Sequence, residues 1–216
     1  MAIIDKPSDY FNTSAVWSGD DSEHTISGIG YQPNFTWIKG VNIGTQHYLF
    51  DSVRGATKII IANGTNAEFT NAQTLKSWNS DGFVLGTSDD VNGSGRTYIA
   101  WNWKESATAG FDILTYEGSG SAQTISHNLG VKPDMIIVKN IDSSDPPFNW
   151  RVYHSSLGAD VAMKLNGTDA QSADPGYWND TEPTSSVFSV KDSGETNNSG
   201  QTYIAYLFAG KQGYSK

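Results

Sequence analysis

Two loop-like segments of the sequence place a tryptophan beside an amide side chain. Trp78 precedes Asn79 in one segment, and Tyr177 and Trp178 precede Asn179 in the other. An aromatic ring can pack on the apolar face of a sugar while an adjacent amide bonds the sugar hydroxyls. These five residues are therefore candidates for a glycan-binding site. The alternative, which we favour, is that both tryptophans cap the core of a β-sandwich, where a buried tryptophan is common.

Two acidic, glycine-rich turns, at residues 88–95 and 191–200, supply oxygen atoms of the kind that Ca²⁺ prefers. The candidate ligands are Asp89, Asp90, Asn92, Asp192 and Asn197. Their spacing departs from that of the helix-flanked calcium loop, and Asp, Asn and Gly also provide the backbone angles that hairpins and bulges need. We therefore favour structural turns and predict no cofactor, with Ca²⁺ as the alternative.

The sequence carries no recognisable catalytic motif. None of its four histidines, His24, His47, His127 and His154, has a partner at metal-ligand spacing or lies in a nucleophile-elbow motif. Because the chain has no cysteine, a thiolate nucleophile and a thiolate zinc site are excluded. The carboxylates are scattered, although two acids from distant strands can still meet in a glycosidase cleft. We predict a protein that is not an enzyme and keep a glycan-degrading enzyme as the least favoured alternative.

Composition and charge exclude several classes of partner. The formal net charge is −9, and nucleic-acid affinity rests on clustered Lys and Arg, so we expect no nucleic-acid partner. No stretch approaches the roughly 20 apolar residues of a membrane span, and the start lacks a signal-peptide pattern. We therefore expect synthesis in the cytoplasm without membrane insertion. The 7 Trp, 10 Tyr and 9 Phe residues supply enough apolar surface for a packed core.

The strongest signal in the sequence is an internal duplication at an offset of about 100 residues. Residues 25–39 match residues 124–139 with Gly, Pro and Lys in register, and residues 92–101 match residues 197–206. Further landmarks keep the same order: Phe11 and Trp17 fall opposite Phe111 and Tyr116, and Trp78 falls opposite Trp178. The two halves of the chain are therefore predicted to share one fold.

The duplication sets the predicted domain boundaries. An N-terminal arm occupies residues 1–9, the first repeat residues 10–103 and the second repeat residues 111–210. The connector, residues 104–110, is short and polar, so we expect it to keep the two repeats packed together. A C-terminal tail follows at residues 211–216.

Apolar residues within each repeat alternate or form short runs, which fits the period of strands better than that of helices. The predicted strands include residues 35–39, 58–62, 97–103, 111–116, 135–139, 161–165 and 203–208. Such strands must stack as two sheets, so we predict an all-β protein of two tandem antiparallel β-sandwich repeats, jelly-roll-like, packed together. Trp37, Trp101 and Trp103 lie in these patterns and are interpreted as core or inter-repeat contacts. One segment, residues 67–75, is loosely compatible with a helical turn.

Several motifs extend over nearly the whole chain. They are residues 5–13, residues 129–139, residues 150–158 and the Ser-Gly-x-Thr-Tyr-Ile-Ala segment that closes each repeat. In these motifs the chain resembles a group of virion-associated proteins of marine tailed phages, described as tail-fibre-like or structural proteins. The motifs are architectural, so the resemblance carries over no functional residue. It implies a location on the surface of the phage particle.

The resulting expectation is a non-enzymatic virion protein on the tail or the capsid. The favoured function is a tail-fibre or adhesin component that contacts the host surface, with a host glycan as its ligand. We expect it to associate with other virion proteins and to form a homo-oligomer, a trimer if it belongs to a fibre. The alternative is a capsid decoration protein that clamps its neighbours through the arm or through one repeat face.

Overall fold

The structure, a computed structural model, describes residues 3–142 and 146–215, and the chain divides into two compact units. The first unit consists of Lys6–Ala62 and Glu68–Glu105, and the second of Ser106–Lys216 with Met1–Asp5 and Asn63–Ala67. Residues 1–2 of the predicted arm and residue 216 of the predicted tail lie outside the described residues. Each unit is a β-sandwich, so the predicted all-β class is confirmed.

The first unit stacks a six-stranded sheet on a three-stranded sheet. Its strands are β1 (Phe11–Ser18), β2 (His24–Ile26), β3 (Phe35–Gly40), β4 (His47–Asp51), β5 (Lys58–Ile61), β6 (Phe69–Thr70), β7 (Leu75–Asn79), β8 (Gly82–Leu85) and β9 (Thr97–Trp103). A single helical turn, α1, spans Asp89–Asn92. The larger sheet has the order β1-β9-β3-β4-β5-β6 and the smaller one the order β2-β8-β7, with antiparallel pairs throughout.

The second unit stacks a six-stranded sheet on a two-stranded sheet. Its strands are β10 (Phe111–Glu117), β11 (Gln123–Ser126), β12 (Met135–Asn140), β13 (Arg151–His154), β14 (Val161–Lys164), β15 (Ser172–Ala173), β16 (Val187–Val190) and β17 (Thr202–Phe208). Two helical turns, α2 (Pro175–Trp178) and α3 (Gly194–Asn197), complete it. The sheet orders are β10-β17-β12-β13-β14-β15 and β11-β16. In both larger sheets the unit's first strand pairs with its last, and the third to sixth strands follow in sequence.

Each core lies between the two sheets of its own unit. In the first unit, Ile38, Phe50 and Ile59 of the larger sheet meet Phe83 and Leu85 of the smaller one, and all five are fully buried. A comparable cluster fills the second unit. Burying a large aliphatic or aromatic side chain contributes roughly 1.5–3 kcal/mol, so these clusters supply most of the driving force for folding.

Two predictions about the connecting segments are refined. Residues 67–75 form no helix, because Phe69 pairs with Ile59 and thereby extends the sheet as β6. Within the predicted connector, the peptide groups of Ser106 and Phe111 exchange two hydrogen bonds, at 2.9 and 3.1 Å, and close a tight turn. No helix in the described ranges is long and apolar enough to cross a membrane.

The predicted arm and tail meet within the second unit. The backbone N–H of Ile4 donates to the carbonyl of Gln212 at 3.2 Å, and Ile4 is buried. Burial also raises the pKa of Tyr214 in the tail to about 12. Residues 7–9 of the arm form a 3-10 turn that begins at Pro7, where the fixed backbone angle of proline suits a first helical position.

Candidate functional site

The structure places the first predicted glycan pair at the edge of the core. Trp78 lies in β7, where its ring packs edge-on against Phe83 with centroids 6.3 Å apart, and it is half-buried. The Asn79 side-chain carbonyl accepts a hydrogen bond from the Asp81 amide at 3.0 Å. Both side chains therefore stabilise the β7–β8 hairpin and its contact with the core.

The second predicted glycan set is buried. Tyr177 and Trp178 lie in α2 and are 7% and 2% exposed. Trp178 packs edge-on against Tyr153 at 6.0 Å, and the Arg151 guanidinium lies over the Tyr177 ring at 4.2 Å. Asn179 follows as a left-handed C-cap. Protein atoms cover both rings and leave a sugar no access to them, which is the environment that the favoured core-capping interpretation expects.

The acidic turns form capped helical turns. The Ser88 hydroxyl accepts a hydrogen bond from the Asp90 N–H at the start of α1, and α3 is capped in the same way. The Asp90 carboxylate accepts a hydrogen bond from the Tyr48 hydroxyl at 2.6 Å, and Asp89 pairs with Arg96 at 3.0 Å. Both carboxylates thus have protein partners of their own.

Asn92 and Asn197, the last residues of α1 and α3, are fully buried. The Asn92 side-chain amide donates to the carbonyls of Ser22 and Gly86 at 2.5 and 2.9 Å. Asp192, the remaining calcium candidate, is exposed. Among residues 3–142 and 146–215, no group of three or more His, Cys, Asp or Glu side chains is placed to hold a metal ion.

Asn197 joins three segments of the second unit. Its side-chain amide donates to the carbonyls of Ser121, at 2.6 Å, and Lys191. Its side-chain carbonyl accepts the Ser119 N–H at 2.8 Å and the Gln123 side-chain amide at 2.7 Å. Both ends of this side chain therefore hold the turn together.

An aromatic groove crosses the outer face of the larger sheet in the first unit. It is lined by Trp37, His47, Trp101 and Trp103, all partly exposed, and has a volume of about 280 Å³. Successive residues of a strand point to opposite faces, so Trp101 and Trp103 point away from the core while Asn102 between them is buried. We call this feature the tryptophan groove.

The rings of the tryptophan groove form a corner. Trp37 and Trp101 are paired across β3 and β9, and their ring planes meet at 80° with centroids 6.5 Å apart. The Trp103 ring rests on Phe11 at 4.7 Å and on Phe35 at 5.1 Å. Strand pairing and ring packing therefore hold the three indoles in place without a ligand.

His47 fixes the orientation of Trp37. The Trp37 indole N–H donates to His47 Nδ1 at 2.9 Å. Burial, with a smaller effect from the Lys39 ammonium, lowers the pKa of His47 below its usual 6.5. The imidazole is therefore neutral at pH 7, with Nδ1 as the acceptor and the proton on Nε2.

The lowered pKa of His47 makes stability depend on pH. The unfolded chain binds a proton at this histidine more readily than the folded chain does, so stability is lost as the pH falls below about 6.5. We expect the denaturant midpoint to fall between pH 7 and about pH 5, and to fall less in His47→Gln. Urea titrations across this pH range provide the midpoints. If the midpoints of wild type and His47→Gln fall by the same amount, the pH dependence does not come from His47.

The second unit lacks the three indoles of the tryptophan groove. The positions that correspond to the three indoles are Ile137, Tyr206 and Phe208. Tyr206 is 1% exposed and stacks on the fully buried Trp150 at 6.4 Å. The same strand order thus carries a partly exposed Trp101 in the first unit and a buried Tyr206 at the matching position of the second.

A second pocket, of about 400 Å³, lies in the second unit and is lined by Asp134, His154 and Ser155 among others. The Ser155 hydroxyl donates to Asp134 at 3.0 Å, and the Gly210 N–H donates to the same carboxylate at 2.6 Å. His154 Nδ1 contacts the Ser156 hydroxyl at 2.6 Å. Ser155 therefore bonds the carboxylate and not the imidazole, unlike the serine of a Ser-His-Asp triad. Asp134 is the one carboxylate in this lining, whereas glycosidase chemistry uses two.

Sequence reasoning missed the tryptophan groove, because it assigned Trp37, Trp101 and Trp103 to core or inter-repeat contacts. The signal was present in β9. Tyr98 and Ala100 alternate with Trp101 and already supply the core face of that strand. An indole that follows on the opposite face is therefore directed away from the core of its own unit.

The family comparison spans both units. A family profile, described as a domain of unknown function (DUF7483), matches residues 6–216. No curated protein and no solved structure matches the chain. By this match over nearly its whole length, the chain belongs to the DUF7483 family.

Proposed function

We propose that this chain is a non-enzymatic, glycan-binding β-sandwich protein that serves as a tail-fibre or adhesin component on the surface of a tailed-phage particle. The tryptophan groove supports the binding activity. The virion location rests on the resemblance of residues 5–13, 129–139 and 150–158 to phage structural proteins. In this role the groove contacts a sugar on the host surface.

The chemistry of the tryptophan groove suits a sugar. One face of many pyranose rings presents C–H groups, which pack on an indole, while the hydroxyls at the ring edge stay available for hydrogen bonds. The lining consists of three indoles and a neutral imidazole. Its volume, about 280 Å³, lies near the lower end of the range for small-molecule sites, roughly 300–1,000 Å³. One or two sugar rings match this size.

Trp101→Ala tests the proposed binding activity. Loss of a central aromatic contact typically costs at least about 1.4 kcal/mol, so we expect affinity for the bound glycan to fall about tenfold or more. The measurement is a glycan array of bacterial surface sugars, followed by titration calorimetry on the best ligand. Val16→Ala is the matched control, because Val16 is exposed on β1 of the same sheet but is paired with Ile99 and not with a groove tryptophan. Equal affinities for wild type and Trp101→Ala contradict the proposal.

Capsid decoration is the rival function. Such a protein would clamp neighbouring capsid subunits through its arm or through one repeat face, and Ile4 of the arm is buried and hydrogen-bonded to Gln212 of its own unit. This contact disfavours clamping by residue 4 of the arm and leaves clamping by a repeat face as the form of decoration to be tested. Cryo-electron microscopy of the particle distinguishes the two: density on the tail supports the adhesin, and density on the capsid lattice supports decoration. The adhesin proposal includes contacts with other virion proteins. It also includes a homo-oligomer, which would be a trimer in a fibre.

A further inference from the structure

The edge strand β1 is interrupted beside the tryptophan groove. Asn12 pairs with Asn102 and Ala15 with Ala100, so two residues of β1 stand opposite the single residue Trp101 of β9. This is a β-bulge, in which an extra residue leaves the hydrogen-bond ladder and redirects the side chains around it. Bulges occur preferentially at sheet edges and beside functional sites.

The two bulged residues are Thr13 and Ser14, and both are exposed. Their flanking residues pair with core-facing positions of β9, so the bulge itself occupies the face on which Trp101 lies. Neighbours across two strands on one face lie ~4.5–5.5 Å apart between Cβ atoms, which is within hydrogen-bonding reach of a ligand on the indole. The Ser14 hydroxyl donates to Asn12 Oδ1 at 2.8 Å, and this bond orients its lone pairs.

The bulge occurs in the unit that has the open groove. In the second unit, β10 pairs with β17 in continuous register from Phe111 to Glu117, with no inserted residue. An uninterrupted edge strand thus suffices to build this sheet, so the fold itself does not require the bulge. The bulge occurs in the unit whose indoles are exposed and lies opposite one of them, Trp101. This position associates the bulge with the proposed binding face.

We propose that the bulge supplies the hydrogen-bonding half of the site, and that the ligand is an uncharged pyranose whose ring packs on Trp101 while its edge hydroxyls bond Thr13 and Ser14. The inference rests on the proposed glycan-binding function and deepens it. Stacking alone accepts many sugars, because most pyranoses have an apolar face. Hydroxyls placed at one side of the indole select among epimers, since a misplaced sugar hydroxyl leaves a bond unmade.

Charge favours a neutral sugar over an acidic one. Among the described residues no Lys or Arg side chain lines the tryptophan groove, and burial lowers the pKa of His47 so that it is neutral at pH 7. Lys39 is the neighbouring ammonium, and it already donates to the carbonyls of Gly40 and Ile43 at 2.8 and 3.2 Å. The protein as a whole carries a formal charge of −9, which repels uronates and sialates.

The test compares the full chain with a variant that lacks the two hydroxyls. Thr13→Val/Ser14→Ala removes both hydroxyls with little change in volume, and Ser18→Ala, exposed on the same strand, is the matched control. Trp101→Ala tests whether binding requires the tryptophan groove. The probes are the methyl glycosides of glucose, galactose, mannose, N-acetylglucosamine, glucuronic acid and N-acetylneuraminic acid, titrated by calorimetry. Melting curves verify that each variant is folded.

We expect wild type to prefer one neutral epimer and the double variant to lose about tenfold in affinity and most of that preference, while Ser18→Ala matches wild type. If Trp101→Ala loses binding but the double variant binds as wild type does, the role of the bulge is refuted and the proposed function stands. Preference for an acidic glycoside refutes the ligand class. If wild type binds none of the six, the glycan-binding function fails together with this inference.

Discussion

Trp178→Ala is expected to lower the free energy of unfolding by about 3–5 kcal/mol. The side chain is 2% exposed and packs edge-on against Tyr153, so alanine leaves a cavity between α2 and the larger sheet of the second unit. The loss approaches the whole stability of a marginal domain, which is about 5–15 kcal/mol. Urea unfolding of wild type and variant, followed by fluorescence and circular dichroism, measures the difference.

Trp178→Phe is the matched control for this prediction. No acceptor for the Trp178 indole N–H occurs among residues 3–142 and 146–215, so phenylalanine loses ring area but no hydrogen bond. We expect a cost well below that of alanine, because a smaller aromatic ring leaves only part of the cavity. A stable Trp178→Ala protein that has lost glycan binding contradicts the structural role and returns this residue to the binding site.

Asn197→Ala is expected to cost about 2–4 kcal/mol, because a net hydrogen bond contributes roughly 1 kcal/mol and a buried partner left unpaired costs more. The substitution removes the hydrogen bonds of the Asn197 side chain to the carbonyls of Ser121 and Lys191. It also removes those from the Ser119 N–H and the Gln123 side-chain amide. The measurement is again the free energy of unfolding from urea titration.

The duplication provides an internal comparison for Asn197. Asn92 occupies the matching position in the first unit, where its amide donates to the carbonyls of Ser22 and Gly86 and its Oδ1 is buried without a partner among the described residues. Asn92→Ala should therefore cost less than Asn197→Ala. Asn198→Ala, at an exposed neighbour, should change stability by no more than about 0.5 kcal/mol. A reversed order of the two buried asparagines contradicts the hydrogen-bond assignment.

Most of the strands could be predicted because their apolar residues alternate along the chain. Residues 97–103 and 203–208, for example, lie in β9 and β17. Burial was harder to predict, because a strand pattern shows which residues share a face but not what covers that face. Trp178 was a glycan candidate with core capping as the favoured interpretation, and it is buried, whereas Trp101 was assigned to a core or an inter-repeat contact and lines an open groove.

The bulge is reflected in the spacing between the two copies of the repeat. The offset between the two copies shortens by one residue from the pair Phe11 and Phe111 to the pair Trp17 and Tyr116. One residue is therefore extra in the first copy within β1, which is where the structure has the bulge. Comparison of the two copies could not show that this insertion forms a bulge opposite Trp101, because the effect of an inserted residue depends on the neighbouring strand.

In the proposed adhesin, the strength of attachment would depend on how many tryptophan grooves each chain carries. Because Tyr206, at the position of Trp101, is buried against Trp150, the described residues form one tryptophan groove, and the proposed glycan site is monovalent. A shallow site for one or two sugar rings binds weakly on its own. Linked sites gain avidity of about 10²–10⁴ without new contacts when they engage one surface together. In the proposed adhesin, firm attachment therefore comes from the number of chains that touch the host at once, and detachment of any one chain remains fast.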